Sequence, residues 1–303
     1  MENASQKIDF NDQISANKRK SFFLMLVIFS VFVLFGYIIS NVFFAPGFFF
    51  AIMMLFTSFS IIYLIVTYYN SGKIAVVSIG AKKANPKKHR EYYSLVEGLT
   101  IASGMPMPEL YVMPSSQINA FASGRDPNHA IICVTLGALE KLDKRELEGV
   151  LAHELSHISN YDMRYMTLVA VMVGSIAIMS ELFLKSLWFS NKESKNNWVF
   201  LLIGIIMAIL APIFVHLVYL SISRKREYSA DASAIKFTRY PLGLISALKK
   251  IKHDYSLEQL EDEKKVSKVI APLFFSTPFR KGLEELGSTH PPIEKRIESL
   301  EKM

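Results

Sequence analysis

Three side chains could share one piece of chemistry: His153, Glu154 and His157, in the string His153-Glu154-Leu155-Ser156-His157. Histidines four apart on a helix lie one above the other on one face, so both imidazoles can hold a single zinc ion. Glu154 leaves the helix about 100° further round, beside such an ion rather than on it, which suits a general base. Zinc lowers the pKa of water toward about 7, and a neighbouring carboxylate can take the proton as hydroxide attacks a carbonyl. The competing reading is an ordinary pair of core histidines. Leu147, Val150, Leu151, Leu155 and Ile158 make the rest of this stretch apolar, however, and polar groups among them would be buried uncompensated unless something binds them.

A catalytic zinc takes three protein ligands and keeps one position open. Asp162, Glu227, His253 and His290 are the candidates for the third. Glu227 is best placed, because the string from Arg224 to Asp231 continues an apolar segment helically. His157 lies about eight residues before one apolar segment and Glu227 about seven after the next, so both stand roughly 10 Å beyond the segment ends. Asp231 is four residues past Glu227 on the same face, suited to holding a ligand imidazole from behind.

The elements that must position these groups carry their own signals. Asp143 followed by Glu146 has the form of a capping box, predicting a helix from Lys144 to about Asn160. Asn85-Pro86 predicts a helix running to about Ser103, broken by Gly104-Met105-Pro106-Met107-Pro108. Glu109 to Met113, Gln117 to Ala122 and Ala130 to Thr135 read as short strands. Arg224 to Thr238 reads as a helix in which Ala230, Ala232 and Ala234 allow close packing. Residues 252–268 are dense in mixed charge and read as a solvated helix or a mobile stretch. Pro292 opens a last helix with Ile293, Ile297 and Leu300 on one stripe.

Around these lie four apolar segments. Positions 21–72 carry no charged residue, enough for two bilayer crossings, about Ser21 to Ser40 and Phe48 to Tyr69, broken at Asn41 to Gly47. A cleaved signal peptide fits poorly, since Phe43-Phe44-Ala45-Pro46 is a poor cleavage site and a second span follows at once. A second pair spans 165–222; its first member is interrupted by Glu181 and Lys185, which read as the headgroup end of the helix. Of the 303 residues 51% are hydrophobic and 20% charged, with net charge +7, 14 glycines and one cysteine, Cys133. That excludes disordered, collagen-like and disulfide-built classes. The net charge could suggest nucleic acid, but 31 of the 34 Lys and Arg fall on one side of the four segments. The charge therefore reads as orientation, with both termini and the motif cytosolic, and no nucleic-acid partner is expected. The expected order is a cytosolic segment (1–20), two transmembrane helices (21–69), a cytosolic part with the motif helix (70–164), a transmembrane hairpin (165–222) and a cytosolic part with the third ligand (223–303). Cleavage within the bilayer fits badly, because Lys144, Arg145, Glu146, Glu148 and Asp162 crowd the motif.

His-Glu-Leu-Ser-His-Ile-x-Asn-x-Asp at 153–162 and Ser-x-x-Arg-Glu-Tyr-x-Ala-Asp at 223–231, across a transmembrane hairpin, resemble the HtpX family of membrane-bound zinc endopeptidases, bacterial relatives of the CAAX prenyl proteases. The resemblance implies a mainly α integral membrane protein with about four transmembrane helices and a small α+β zincin-like cytosolic catalytic domain, in a bacterial plasma membrane. It implies one Zn2+ held by His153, His157 and Glu227, with Glu154 as base and Asp231 in support. It gives Asn119 and Ala120, in the string Ile118-Asn119-Ala120-Phe121, the part of an edge strand that pairs with an extended substrate. His290, before Pro291 and Pro292, would stabilise the developing oxyanion. Polypeptide substrates, membrane proteins among them, and a role in membrane-protein quality control under stress are what this likeness implies; oligomeric state is left open. The alternative is a zinc-binding membrane scaffold or sensor without proteolytic activity.

Overall fold

The computed structural model describes residues 10–43, 46–168, 224–257 and 291–303. The first two apolar segments form α1 (Phe10–Phe43) and α2 (Phe49–Ser78), joined by residues that include a 3-10 turn at Pro46–Phe48. The two helices pack through Phe32 against Phe59 and Tyr63, and through Gly36, where a Cβ would lie 2.5 Å from Phe56. Their outer faces stay bare: Phe50 is 82% exposed, Met54 73% and Phe23 69%. Such a band is costly in water and is the natural face toward lipid. Among the described residues, α2 is the one helix long and apolar enough to cross a membrane by length and composition.

The charge-free run ends at Gly72, yet α2 continues to Ser78. Its last turns leave the apolar band and become part of the domain. Ala75, Val76 and Ile79 pack on Met113, Phe121, Ile131 and Cys133, with Met166 alongside. Gly72 permits the approach, since a Cβ there would stand 3.3 Å from the Cα of Gly124. A membrane helix is thus continuous with the core of the domain.

That core is a small mixed sheet between helices. Strands β1 (Lys82–Lys83), β2 (Glu109–Met113), β3 (Ala120–Gly124) and β4 (Ala130–Thr135) lie in the order β1-β2-β4-β3. β2 and β4 are parallel and the other two pairs antiparallel. The face away from α2 is covered by α3 (Arg90–Ser103) and by α5 (Lys144–Ser159), which follows the short α4 (Leu136–Lys141). Tyr92 of α3 is buried and its hydroxyl donates to the Ile132 carbonyl at 3.0 Å. Beyond α5 lie α6 (Arg224–Thr238), α7 (Pro241–Leu257) and α8 (Ile293–Leu300).

Two element starts differ from the sequence expectation, each for a physical reason, and the middle strand also ends at Gly124 rather than Ala122. The middle strand starts at Ala120 rather than Gln117, because side chains take the preceding backbone donors: Asp254 accepts from Ile118 N (2.9 Å) and Thr135 Oγ1 from Asn119 N (3.0 Å). α3 starts at Arg90 rather than at Pro86. Asn85 Oδ1 accepts from the amides of Lys87 and Lys88 in a turn instead, and Lys87, Lys88 and His89 are poor company for the positive end of a helix dipole. Of the three alanines of α6, Ala230 and Ala234 are buried but Ala232 is exposed. Most of the second apolar pair, the stretch beyond residue 257 and His290 lie outside the described residues.

Candidate metal centre

The motif helix forms where its capping box predicts. Asp143 Oδ1 accepts from the amides of Arg145 (2.9 Å) and Glu146 (3.0 Å), and Asp143 N donates to Glu146 Oε2 at 2.8 Å. Glu146 is also the anchor of α7, accepting from Lys250 Nζ and Ser246 Oγ, both at 2.6 Å. On this pinned helix His153, Glu154 and His157 all face inward, with exposures of 0%, 2% and 9%. α6 lies alongside, bringing Glu227 and Asp231, each 1% exposed, to the same place.

The donor atoms converge. His153 Nε2 and His157 Nε2 are 3.1 Å apart, and each is 3.6 Å from a Glu227 carboxylate oxygen. Tetrahedral ligands at about 2.0–2.1 Å from one ion sit about 3.3 Å from one another. The three donors therefore fit the edges of one coordination polyhedron. Behind them, His153 Nδ1 is 2.9 Å from Asp231 Oδ1 and His157 Nδ1 is 3.4 Å from Asp162 Oδ2. With each Nδ1 proton directed to a carboxylate, both Nε2 lone pairs point at one spot, an arrangement that calls for a cation between them.

The electrostatics agree. Burial alone pushes the His157 imidazole down, but its bond to Asp162 and the charges of Glu227, Asp162 and Glu154 outweigh it and hold the group at about 9. Carboxylates that draw in a proton so strongly will draw in a metal cation as well. Burial likewise pushes Asp231 up, and Arg296 together with His153 more than reverses it.

The site residues named from the sequence separate as follows. His153, His157 and Glu227 form the converging set among the described residues. Asp231 stands behind His153, and Glu154 is buried in the same pocket of charge, near enough to act on His157 and Arg296. Asp162, a candidate third ligand, turns to the far nitrogen of His157 and accepts from Arg226 Nη1 at 3.4 Å. His253 is exposed on α7 at a shallow cavity of about 370 Å³ shared with Ile118 and Lys141, apart from the donor set. Asn119 and Ala120 lie at the start of β3, the edge strand beside α5. Thr135 N donates to the Asn119 carbonyl, so in the alternating ladder Asn119, Phe121 and Ser123 face β4 while Ala120 and Ala122 turn their backbone groups to the side that no described strand covers. Arg296, fully buried against Asp231, was missed. Its signal was present, since Ile293, Arg296, Ile297 and Leu300 share one helical stripe and a lone arginine on a buried stripe asks for a partner.

A paired-histidine helix and a separate glutamate helix meeting at one cation-binding point make a centre of the metal-dependent hydrolase class. Comparison with known proteins narrows that class. The sequence model of Peptidase family M48 matches residues 86–303. A Protease HtpX homolog of Dictyoglomus thermophilum is 40% identical over 295 residues, 97% of this chain and 95% of the relative. One from Caldanaerobacter subterraneus subsp. tengcongensis is 39% identical over 306 residues, covering 96% and 97%, and one from Tropheryma whipplei 39% over 292 residues, again 96% and 97%. The crystal structure of S. mikatae Ste24p is a more distant likeness, 19% identical with a TM-score of 0.49, covering 95% of this chain and 66% of that one. The chain belongs to peptidase family M48, among its HtpX members, as its motifs suggested. It is a membrane-bound metalloendopeptidase, as that membership shows, and the bare apolar face of α2 agrees.

Proposed function

We propose that the chain hydrolyses peptide bonds of membrane or misfolded proteins at a zinc centre on the cytosolic side of a bacterial plasma membrane. His153, His157 and Glu227 hold the metal, and Glu154 is the base. The observation that carries this reading is the convergence of those three donor groups, whose ligand atoms all lie within 4.8 Å of one another. Two imidazoles and a carboxylate are the donor set of catalytic rather than structural zinc, leaving a position open.

When bound there, zinc supplies Lewis acidity and brings the pKa of water toward about 7. The chain's own residues do the rest. Glu154 takes the proton of the attacking water and returns it to the leaving amine nitrogen. Asp231 and Asp162 keep the two imidazoles in the tautomer that leaves Nε2 unprotonated. An extended substrate lies along the side of β3 that no described strand covers, where Ala122 offers its N–H and carbonyl and Ala120 its carbonyl; the Ala120 N–H is taken by Asn119 Oδ1 at 3.0 Å, which fixes the start of the strand. His290 is assigned the oxyanion on its family likeness alone.

In the four-span topology proposed from the sequence, both ligand helices stand just above the bilayer, within reach of exposed loops of membrane proteins, and that position supports a role in quality control under stress. The test is a pair of variants of the full chain in detergent, assayed on casein and for metal content. Glu154→Gln keeps about one zinc per chain and loses roughly 10²–10⁴-fold in rate; Glu227→Ala loses the metal. Full activity in Glu154→Gln would overturn the mechanism, and a zinc-binding protein that cleaves nothing even as wild type would be the scaffold or sensor instead.

A further inference from the structure

Arg296 has no part in the chemistry above, yet it is 1% exposed in the interior of the site. It comes from α8, the last helix, whose Leu300 is buried in the core and whose Ile293 and Ile297 pack against it. Its Nε donates to Asp231 Oδ2 at 2.9 Å and its Nη2 to Asp231 Oδ1 at 2.7 Å. Nη1 stands 4.0 Å from Glu227 Oε2, and Nη2 3.3 Å from His153 Nδ1. A buried guanidinium is costly unless its charge and donors are matched, and here the matching groups are a metal ligand and the partner of another.

The geometry of the fork matters. Two parallel bonds fix the plane of the Asp231 carboxylate as one bond could not. Oδ1 accepts from the guanidinium and also faces His153 Nδ1 at 2.9 Å. The plane of the carboxylate therefore sets the orientation of the imidazole, and with it the direction of Nε2. We propose that Arg296 is a positioning residue of the metal centre: α8 delivers a guanidinium that locks Asp231, and through Asp231 the ring of His153, so that the site is complete only when the last helix has docked. The inference rests on the metal-centre reading above. Lysine can supply the charge at this position but not the fork.

The experiment measures the zinc dissociation constant of the full chain in detergent by chelator competition, with thermal melting of the metal-free protein beside it. Arg296→Lys is expected to bind zinc about 10- to 100-fold more weakly, the range found when a partner behind a ligand is removed. Its metal-free melting should stay near that of wild type. Asp231→Asn should weaken zinc similarly, and adding Arg296→Lys to it should cost little more, because both act along one path. Arg296→Gln combined with Asp231→Asn removes both buried charges together, so it remains a test if a lone replacement fails to fold, and it too must bind zinc more weakly. Cobalt bound in place of zinc should show an altered visible spectrum in Arg296→Lys. Unchanged zinc affinity in Arg296→Lys, or additive losses in the double variant, would overturn the proposal and leave Arg296 a structural staple. Failure of wild type to bind zinc at all would instead sink the reading beneath it.

Discussion

At the scale of residues, the proposed metal would enter the charge balance of the site. Glu154, Asp162, Glu227 and Asp231 are all buried, with Arg296 set against Asp231, and Arg226 and Lys20 against Asp162, among the described cations. The carboxylates remain in excess, an imbalance that holds His157 protonated when no metal is bound and that a divalent ion would offset in its place. Removing the ion should therefore destabilise the fold as well as stop catalysis. At a free zinc concentration 100 times the dissociation constant the ion contributes about 2.7 kcal/mol, or roughly 5–10 °C in melting temperature for a domain of this size. Melting with zinc and after dialysis against a chelator checks this, and equal midpoints would show that the site carries no such imbalance. The His-Glu-x-x-His pair was legible because its donors are neighbours on one helix. Arg296 lies 143 positions from His153, a separation at which spacing says nothing about contact.

At the scale of elements, α5 is over-determined, and that explains why its limits could be read to within a residue. Cap, apolar stripe and length all agree, and the cap residue Glu146 doubles as the anchor of α7. The close approach of α5 and α7 depends on Gly149, where a Cβ would stand 2.7 Å from the Leu244 nitrogen and 2.9 Å from its Cα. In an exposed helix Gly→Ala is stabilising. Here Gly149→Ala should destabilise by about 1–3 kcal/mol, because a backbone cannot yield as a side-chain tip can. Denaturant unfolding of the solubilised protein measures it; a gain in stability would mean the helices separate freely. β3 was less legible. Its type followed from its residues and its edge position only from the family resemblance, while its start was decided by Asp254 and Thr135, and the first of these is 136 residues from Ile118.

At the scale of the whole molecule, the membrane and the site are parts of one body, because α2 passes from the apolar band into the sheet without a break. The sequence marks where the lipid ends through its charges. It does not mark where the helix ends, since helices stop for caps and packing rather than for headgroups. Orientation is then a prediction about the entire chain, and one built-in feature makes it easy to test. Cys133 is the only cysteine, it is 1% exposed, and burial pushes its thiol far up, so in the folded protein it should not react with maleimides. Any labelled thiol will be an introduced one. Gly47 in the turn between α1 and α2 is exposed and has open space where a side chain would project, and Lys88 is exposed beside the sheet. With the domain in the cytosol, an impermeant maleimide added to intact cells whose outer envelope is permeable to it labels Gly47→Cys and spares Lys88→Cys. Breaking the cells exposes Lys88→Cys to label as well. The reverse pattern would place the metal centre outside the cytosol and make exported segments, rather than cytosolic loops, its substrates.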